Sequence, residues 1–175
     1  MTDWVTWFRQ QLQASGDGFL WAVRQLPHAY HFALPPDPNY LGTWEPARHV
    51  WHVAEYERCL ALPSMRQWIG EPLPDGANWP DDVHTWTSVR NLSLEEHCTA
   101  FQAVHQAQIT LLNDLAGVDW EAPRETLWGR KPLAMIVTKT FQHTYEHGDT
   151  LLRMGLWWDH IEQAIAAERA ATATV

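Results

Sequence analysis

No stretch of this sequence gathers Lys and Arg into a stripe. Twelve basic side chains face 21 acidic ones, for a formal net charge of −9. Nucleic acid is therefore not an expected partner, because phosphate backbones need clustered cations. No apolar run is long enough to cross a bilayer, so no membrane partner is expected either. The first residues, Met1-Thr-Asp-Trp4, lack the basic segment and apolar core of a secretory signal. Only two cysteines occur, Cys59 and Cys98, and they fit no CxxC metal or redox pair. Internal repeats, clear strands and Gly/Ser tethers are missing too. These absences lead to the expectation of a cytoplasmic protein with reduced thiols. At 175 residues the chain suits a single domain, 1–175, with a substantial core.

Large rings are plentiful. Twelve tryptophans and ten histidines stand in a chain that is 46% hydrophobic. Tryptophan brings a large apolar area and an N–H that needs a partner. Most of these rings are expected to fill a core, with an aromatic-lined pocket as the functional alternative.

Apolar residues recur at helical spacing from Asp3 to Gln25, through Trp4, Phe8, Leu12, Phe19 and Val23. Ser15-Gly-Asp-Gly18 reads as a weak point or a break, since each glycine costs about 1 kcal/mol against alanine in a helix. Pro27 ends the helix, and the proline- and aromatic-rich residues 27–45 form a packed loop. A second helix starts at Pro46 behind Thr43 or Glu45 and runs to Ile69, where Gly70 and Pro72 stop it. Its inner stripe reads His52, Tyr56, Cys59. Residues 71–92 are a polar connection. Ser93-Leu-Glu-Glu96 matches a capping box and opens a third helix that runs to about Leu115. Residues 118–130 are a second polar connection, with an extended piece near Glu125-Thr-Leu-Trp128. A fourth helix spans Pro132 to Met154 and stops at Gly155. A short C-terminal helix from Trp157 to about Ala170 then frays in an alanine-rich tail, making 158–175 an appendage. The sum is an all-α four-helix bundle with long crossover connections plus a short C-terminal helix.

The fourth helix carries His143 and His147. Their spacing puts both imidazoles on one face, which Ile136, Thr140, Leu151 and Met154 share. Two histidines on a core face are either separately hydrogen-bonded or hold a metal between helices. A third ligand would come from His49, His52, His97, His105 or His160. His52 fits best, and His49 is the fallback. Three neutral imidazoles suit Zn or Ni foremost, with Fe, Co or Mn as further options. They leave an open position, the catalytic pattern. Glu55, Glu57 and Glu146 are within sequence reach to orient the rings but read first as surface charges. Tyr56 or Tyr145 would be a hydrogen-bond donor to substrate. Ligation needs neutral imidazole, so occupancy is expected to fall near and below a pH of about 6.5.

Trp51-His-Val-Ala-Glu-Tyr-Glu-Arg58, together with His143-x-x-x-His147 before Leu-Leu-Arg-Met-Gly155, resembles the DinB/YfiT-like superfamily. So does the Thr43-Trp-Glu-Pro46 lead-in. The resemblance runs from the first helix through Gly155. It implies a four-helix bundle with a divalent metal held by His52, His143 and His147, and a homodimer. Members include S-transferases that use bacillithiol and a mycothiol-dependent maleylpyruvate isomerase. By that resemblance the chain would be a metal-dependent S-transferase using a low-molecular-weight thiol such as bacillithiol on small electrophiles. The alternative is a non-enzymatic, stress-related protein that binds a metal or a small ligand, with His49 or Cys59 closing the coordination shell.

Overall fold

The computed structural model describes residues 3–75 and 83–173. Gly76 and Pro80 of the expected 71–92 connection, and the last two residues of the tail, lie outside the described residues.

Helix α1 spans Trp4–Arg24. Asp3 caps it, its carboxylate accepting from the Thr6 N–H at 3.1 Å. The helix does not break at Ser15–Gly18, contrary to the sequence expectation. Ser15 Oγ donates back to the Leu12 carbonyl at 2.9 Å, and Gly16 is where another helix needs room. Next come a single 3₁₀ turn, His28–Tyr30, and the short α2, Pro38–Leu41, capped by Asp37.

Helix α3, Pro46–Tyr56, begins with proline in its first turn, as expected. A π-turn, Glu57–Ala61, follows, then α4, Leu62–Arg66. Pro63 explains the wide turn. It has no N–H to give the carbonyl four residues back, and the Leu62 N–H reaches the Glu57 carbonyl, five back. Gly70 closes the run with φ 84°, the expected left-handed stop.

The 71–92 connection contains α5, Val83–Val89, whose Trp86 is buried. Helix α6, Leu94–Leu111, starts on the expected capping box. Ser93 Oγ accepts from the Glu96 N–H, and Glu96 Oε2 accepts from the Ser93 N–H at 2.7 Å. Residues 118–130 hold more than one extended piece. Strands β1, Pro123–Thr126, and β2, Gly129–Pro132, pair antiparallel with Thr126 opposite Gly129. Gly129 has φ 77°, the backbone that turns the chain back on itself.

Helix α7 runs unbroken over Leu133–Thr172. The expected fourth and C-terminal helices are one, and Gly155 does not end it. The apolar face continues through Leu151, Met154 and Trp158, all buried, to Ile161, which packs on the same cluster. Tyr30 stacks on Trp158 at 4.4 Å and its hydroxyl donates to Asp159. Burying side chains of this kind stabilises by roughly 1.5–3 kcal/mol each, more than one helical glycine costs.

α7 packs along α1, and α3 packs along α6, giving an all-α bundle with a two-stranded flap. Its core is split. One apolar cluster contains Phe19, Val23, Val53, Phe101 and Leu151. The other contains Phe8, Leu12, Met65, Leu112 and Ile136. Between them each long helix contributes buried polar residues: Ser15; His49, His52 and Glu57; His105 and Gln108; Thr140, His143 and Thr144. Among the described residues no helix is long and apolar enough to cross a membrane.

Gly16 lets this polar layer close. A Cβ there would lie 2.7 Å from His105 Cδ2 and Nε2, whereas a Cβ on Gly18 meets nothing within 4 Å. Gly18→Ala is expected to stabilise by about 0.5–1 kcal/mol. Gly16→Ala is expected to destabilise by about 1–3 kcal/mol despite the same gain in helix propensity. Urea unfolding of the two variants measures the contrast.

Candidate metal centre

Four histidines meet where α3 faces α7. His49 and His52 are one turn apart near the start of α3, and His143 and His147 are one turn apart in the middle of α7. His52 Nε2 and His143 Nε2 lie 3.1 Å apart. Two nitrogens on one tetrahedral ion at ordinary metal–nitrogen bond lengths lie about 3.3 Å apart, close to what is seen. The three sequence-predicted residues come together. His52, His143 and His147 each offer a ligand atom, all within 4.8 Å of one another. Their ring centroids are 4.6–5.0 Å apart. His52 and His143 are buried, and His147 is the most exposed of the three.

The surroundings keep His143, His147 and the adjacent His49 neutral. Burial, then the neighbouring His147, His52 and Lys139, push the His143 pKa down to about 2. Burial, His52 and Lys139 push His147 down to about 3. Burial and the adjacent histidines hold His49 well below the ordinary range. A neutral imidazole has a bare nitrogen lone pair, the form a metal needs. Among the described residues His143 Nδ1 is buried without a hydrogen-bond partner, so the polar contact of the ring runs through Nε2 to His52. The donor set is three nitrogens with no carboxylate, and it fits a divalent ion of the Zn or Ni type.

Trp44, in the turn before α3, roofs the site. Its ring lies 4.9 Å from His52, 5.3 Å from His49 and 6.0 Å from His147, and Arg48 lies over it at 4.4 Å. Tyr56 packs against His143 from within the bundle, 4.1 Å between centroids. The spacing of Tyr56 from His52 marks it in the sequence. Trp44 carried no such sign beyond its place in the lead-in.

The remaining candidates lie elsewhere. His97 packs on Trp86 and His160 is exposed. His105 Nδ1 meets the Glu57 carboxylate at 2.8 and 3.0 Å, and its Nε2 donates to the Leu12 carbonyl at 2.8 Å. Glu57 is not the surface charge expected, since its exposure is 0%. It also accepts from the Thr144 hydroxyl at 3.3 Å. Glu55 pairs with Arg58, and Glu146 with Lys139, both near solvent. Cys59 Sγ lies 3.8 Å from Glu55 and outside the histidine group. Burial raises its thiol pKa, which makes it a poor nucleophile. Tyr145 is half-exposed and edges onto Phe141 rather than the histidines.

The sequence matches a family model described as the DinB superfamily over residues 11–151. Among solved structures, the fold resembles the crystal structure of a histidine-to-alanine mutant of the mycothiol-dependent maleylpyruvate isomerase. The TM-score is 0.62 at 12% identity, covering 86% of this chain and 63% of that one. At that identity the likeness is one of fold, and the chain spans under two thirds of the isomerase's length. No curated protein matches the sequence. With the family model covering most of the bundle and all four clustered histidines, the chain belongs to the DinB superfamily.

Proposed function

We propose that this chain is a divalent-metal-dependent enzyme. His52, His143 and His147 are its ligands, and it transfers a low-molecular-weight thiol of the bacillithiol type to a small electrophile. The observation that carries the reading is the cluster of three imidazoles from two helices, two of them, His143 and His147, held neutral by burial. Three protein nitrogens leave a coordination position open. A divalent ion held there supplies Lewis acidity that favours the anionic form of a thiol. Trp44 shields the site from water, Tyr56 holds the His143 ring in place, and the more exposed His147 side is where the electrophile enters. The superfamily assignment and a fold neighbour whose name specifies a thiol cofactor support this choice of substrate class. A homodimer belongs to the same reading.

The test uses protein loaded with Zn or Ni, bacillithiol, and monochlorobimane as electrophile. Thiol conjugation is expected to accelerate, and a chelator should stop it while the helical signal persists. No acceleration with bacillithiol or mycothiol would sink the transferase.

A second reading, a metal- or ligand-binding protein without catalysis, draws on one observation. A cavity of about 400 Å³ lies away from the histidine cluster, lined by Leu20, Val23, Arg24, His31, Leu94 and Cys98 among others. Under that reading an apolar ligand would bind there equally well after His52→Ala, and chelation would unfold the protein.

A further inference from the structure

His49 stands one turn before His52 on α3 and is only 6% exposed. Its Nδ1 lies 2.7 Å from His147 Nδ1. Its other nitrogen, Nε2, is buried without a hydrogen-bond partner among the described residues, so the contact with His147 is what orients the ring. Trp44 packs against it from the other side.

Two neutral imidazoles at that separation share one hydrogen, one nitrogen donating and the other accepting. The distance is shorter than the about 3.3 Å that two nitrogens keep on one tetrahedral ion. His49 is therefore placed as a hydrogen-bond partner of His147 rather than as a fourth ligand. The direction follows from what ligation needs. If His147 accepted, its own hydrogen would sit on Nε2, and neither nitrogen would have a lone pair to offer. If His147 donates through Nδ1, its Nε2 is bare.

We propose that His49 is a positioning residue of the metal centre. It accepts the Nδ1–H of His147 and so fixes both the orientation of that ring and the tautomer that presents Nε2. The inference rests on the three-histidine reading above. A histidine fills the place that a carboxylate or backbone carbonyl takes beside many metal-binding histidines.

His49→Leu keeps a side chain of similar bulk without an acceptor. His49→Gln keeps an acceptor oxygen. Two measurements are made on wild type and both variants: Zn²⁺ affinity by competition with a chromogenic chelator, and the visible spectrum of the Co²⁺ form. Wild type is expected to bind one ion. H49L should bind about 10–100-fold more weakly, with unchanged Co²⁺ band positions and intensities because the ligand count is the same. H49Q should recover part of that loss. Zn²⁺ binding by H49L within about twofold of wild type would overturn the proposal, since outer partners of ligands matter more than that. So would a changed Co²⁺ spectrum, which would make His49 itself a ligand. Circular dichroism of the metal-free proteins separates these effects from misfolding, and a misfolded H49L leaves H49Q to decide by matching or missing wild-type affinity. If wild type takes up no metal, the three-histidine reading fails first and this proposal with it.

Discussion

Glu57→Ala is expected to lower the free energy of unfolding by about 3–5 kcal/mol, the usual effect of removing one partner of a buried ion pair. For a chain of this size that corresponds to a fall in Tm of roughly 6–20 °C. Leu12's carbonyl can only accept, so His105 Nε2 carries a hydrogen, and Nδ1 faces both Glu57 oxygens. Burial on its own pushes the His105 pKa down, but Glu57's charge and hydrogen bond, helped by Leu12, outweigh it and raise it. In the alanine variant burial is the dominant influence left on His105, so the ring gives up its proton and its Nδ1 is left at 5% exposure without the Glu57 carboxylate. The sign of the pH dependence follows from the raised value. The stability that His105 contributes is fully present below about pH 6.5, its unfolded value, and is lost as pH rises through the higher folded value. Replacing both partners together, as Glu57→Met with His105→Leu, should recover most of the loss, because the cost lies in a buried polar ring left without its partner. Thermal unfolding at pH 6 measures all three proteins. A loss below about 1 kcal/mol for Glu57→Ala would contradict a buried, charged pair.

His143→Ala is expected to weaken Zn²⁺ binding by more than about 100-fold, since loss of a mere outer partner already costs 10–100-fold. The metal-free fold should persist, at the cost of the His52 contact at 3.1 Å and the packing on Tyr56 that the shorter side chain gives up. Structure also revises the pH expectation drawn from the sequence. In the metal-free folded chain burial, with neighbouring positive groups, lowers His143 to about 2 and His147 to about 3, so protons compete for these two rings only well below about pH 6.5. Their folded values are depressed. The stability they contribute is present above about pH 6.5 and is lost as pH falls from there toward 3. Metal should therefore leave with the fold rather than before it. Following bound Zn²⁺ and circular dichroism together from pH 7 to 4 checks this, with coincident transitions expected.

The two histidines of α7 and His52 were legible because helical spacing alone puts them on inner faces. The bundle was legible from the same periodicity. Glu57 was not, for a specific reason. The π-turn after Tyr56 adds a residue, so the stripe extrapolated from His52 and Tyr56 to Cys59 slips by about one position. Cys59 is left half-exposed while Leu60, Ala61 and Ser64 turn inward. Its partner His105 lies 48 residues away, beyond any local pattern. Gly155 misled because a glycine after a periodic run commonly marks a stop, whereas the apolar face of α7 continues past it through Trp158 and Ile161, with Trp158 stacked on Tyr30. Gly16 misled for the opposite reason, since its purpose is the ring of His105 against it.

The most direct measurement is metal content and uptake of untagged protein, with Zn²⁺ and Ni²⁺ titrated into the chelator-treated chain. One ion per chain is expected, with tight binding that requires His52, His143 and His147 together. A protein that is isolated without a divalent ion and takes up none, while remaining folded, would contradict the metal centre.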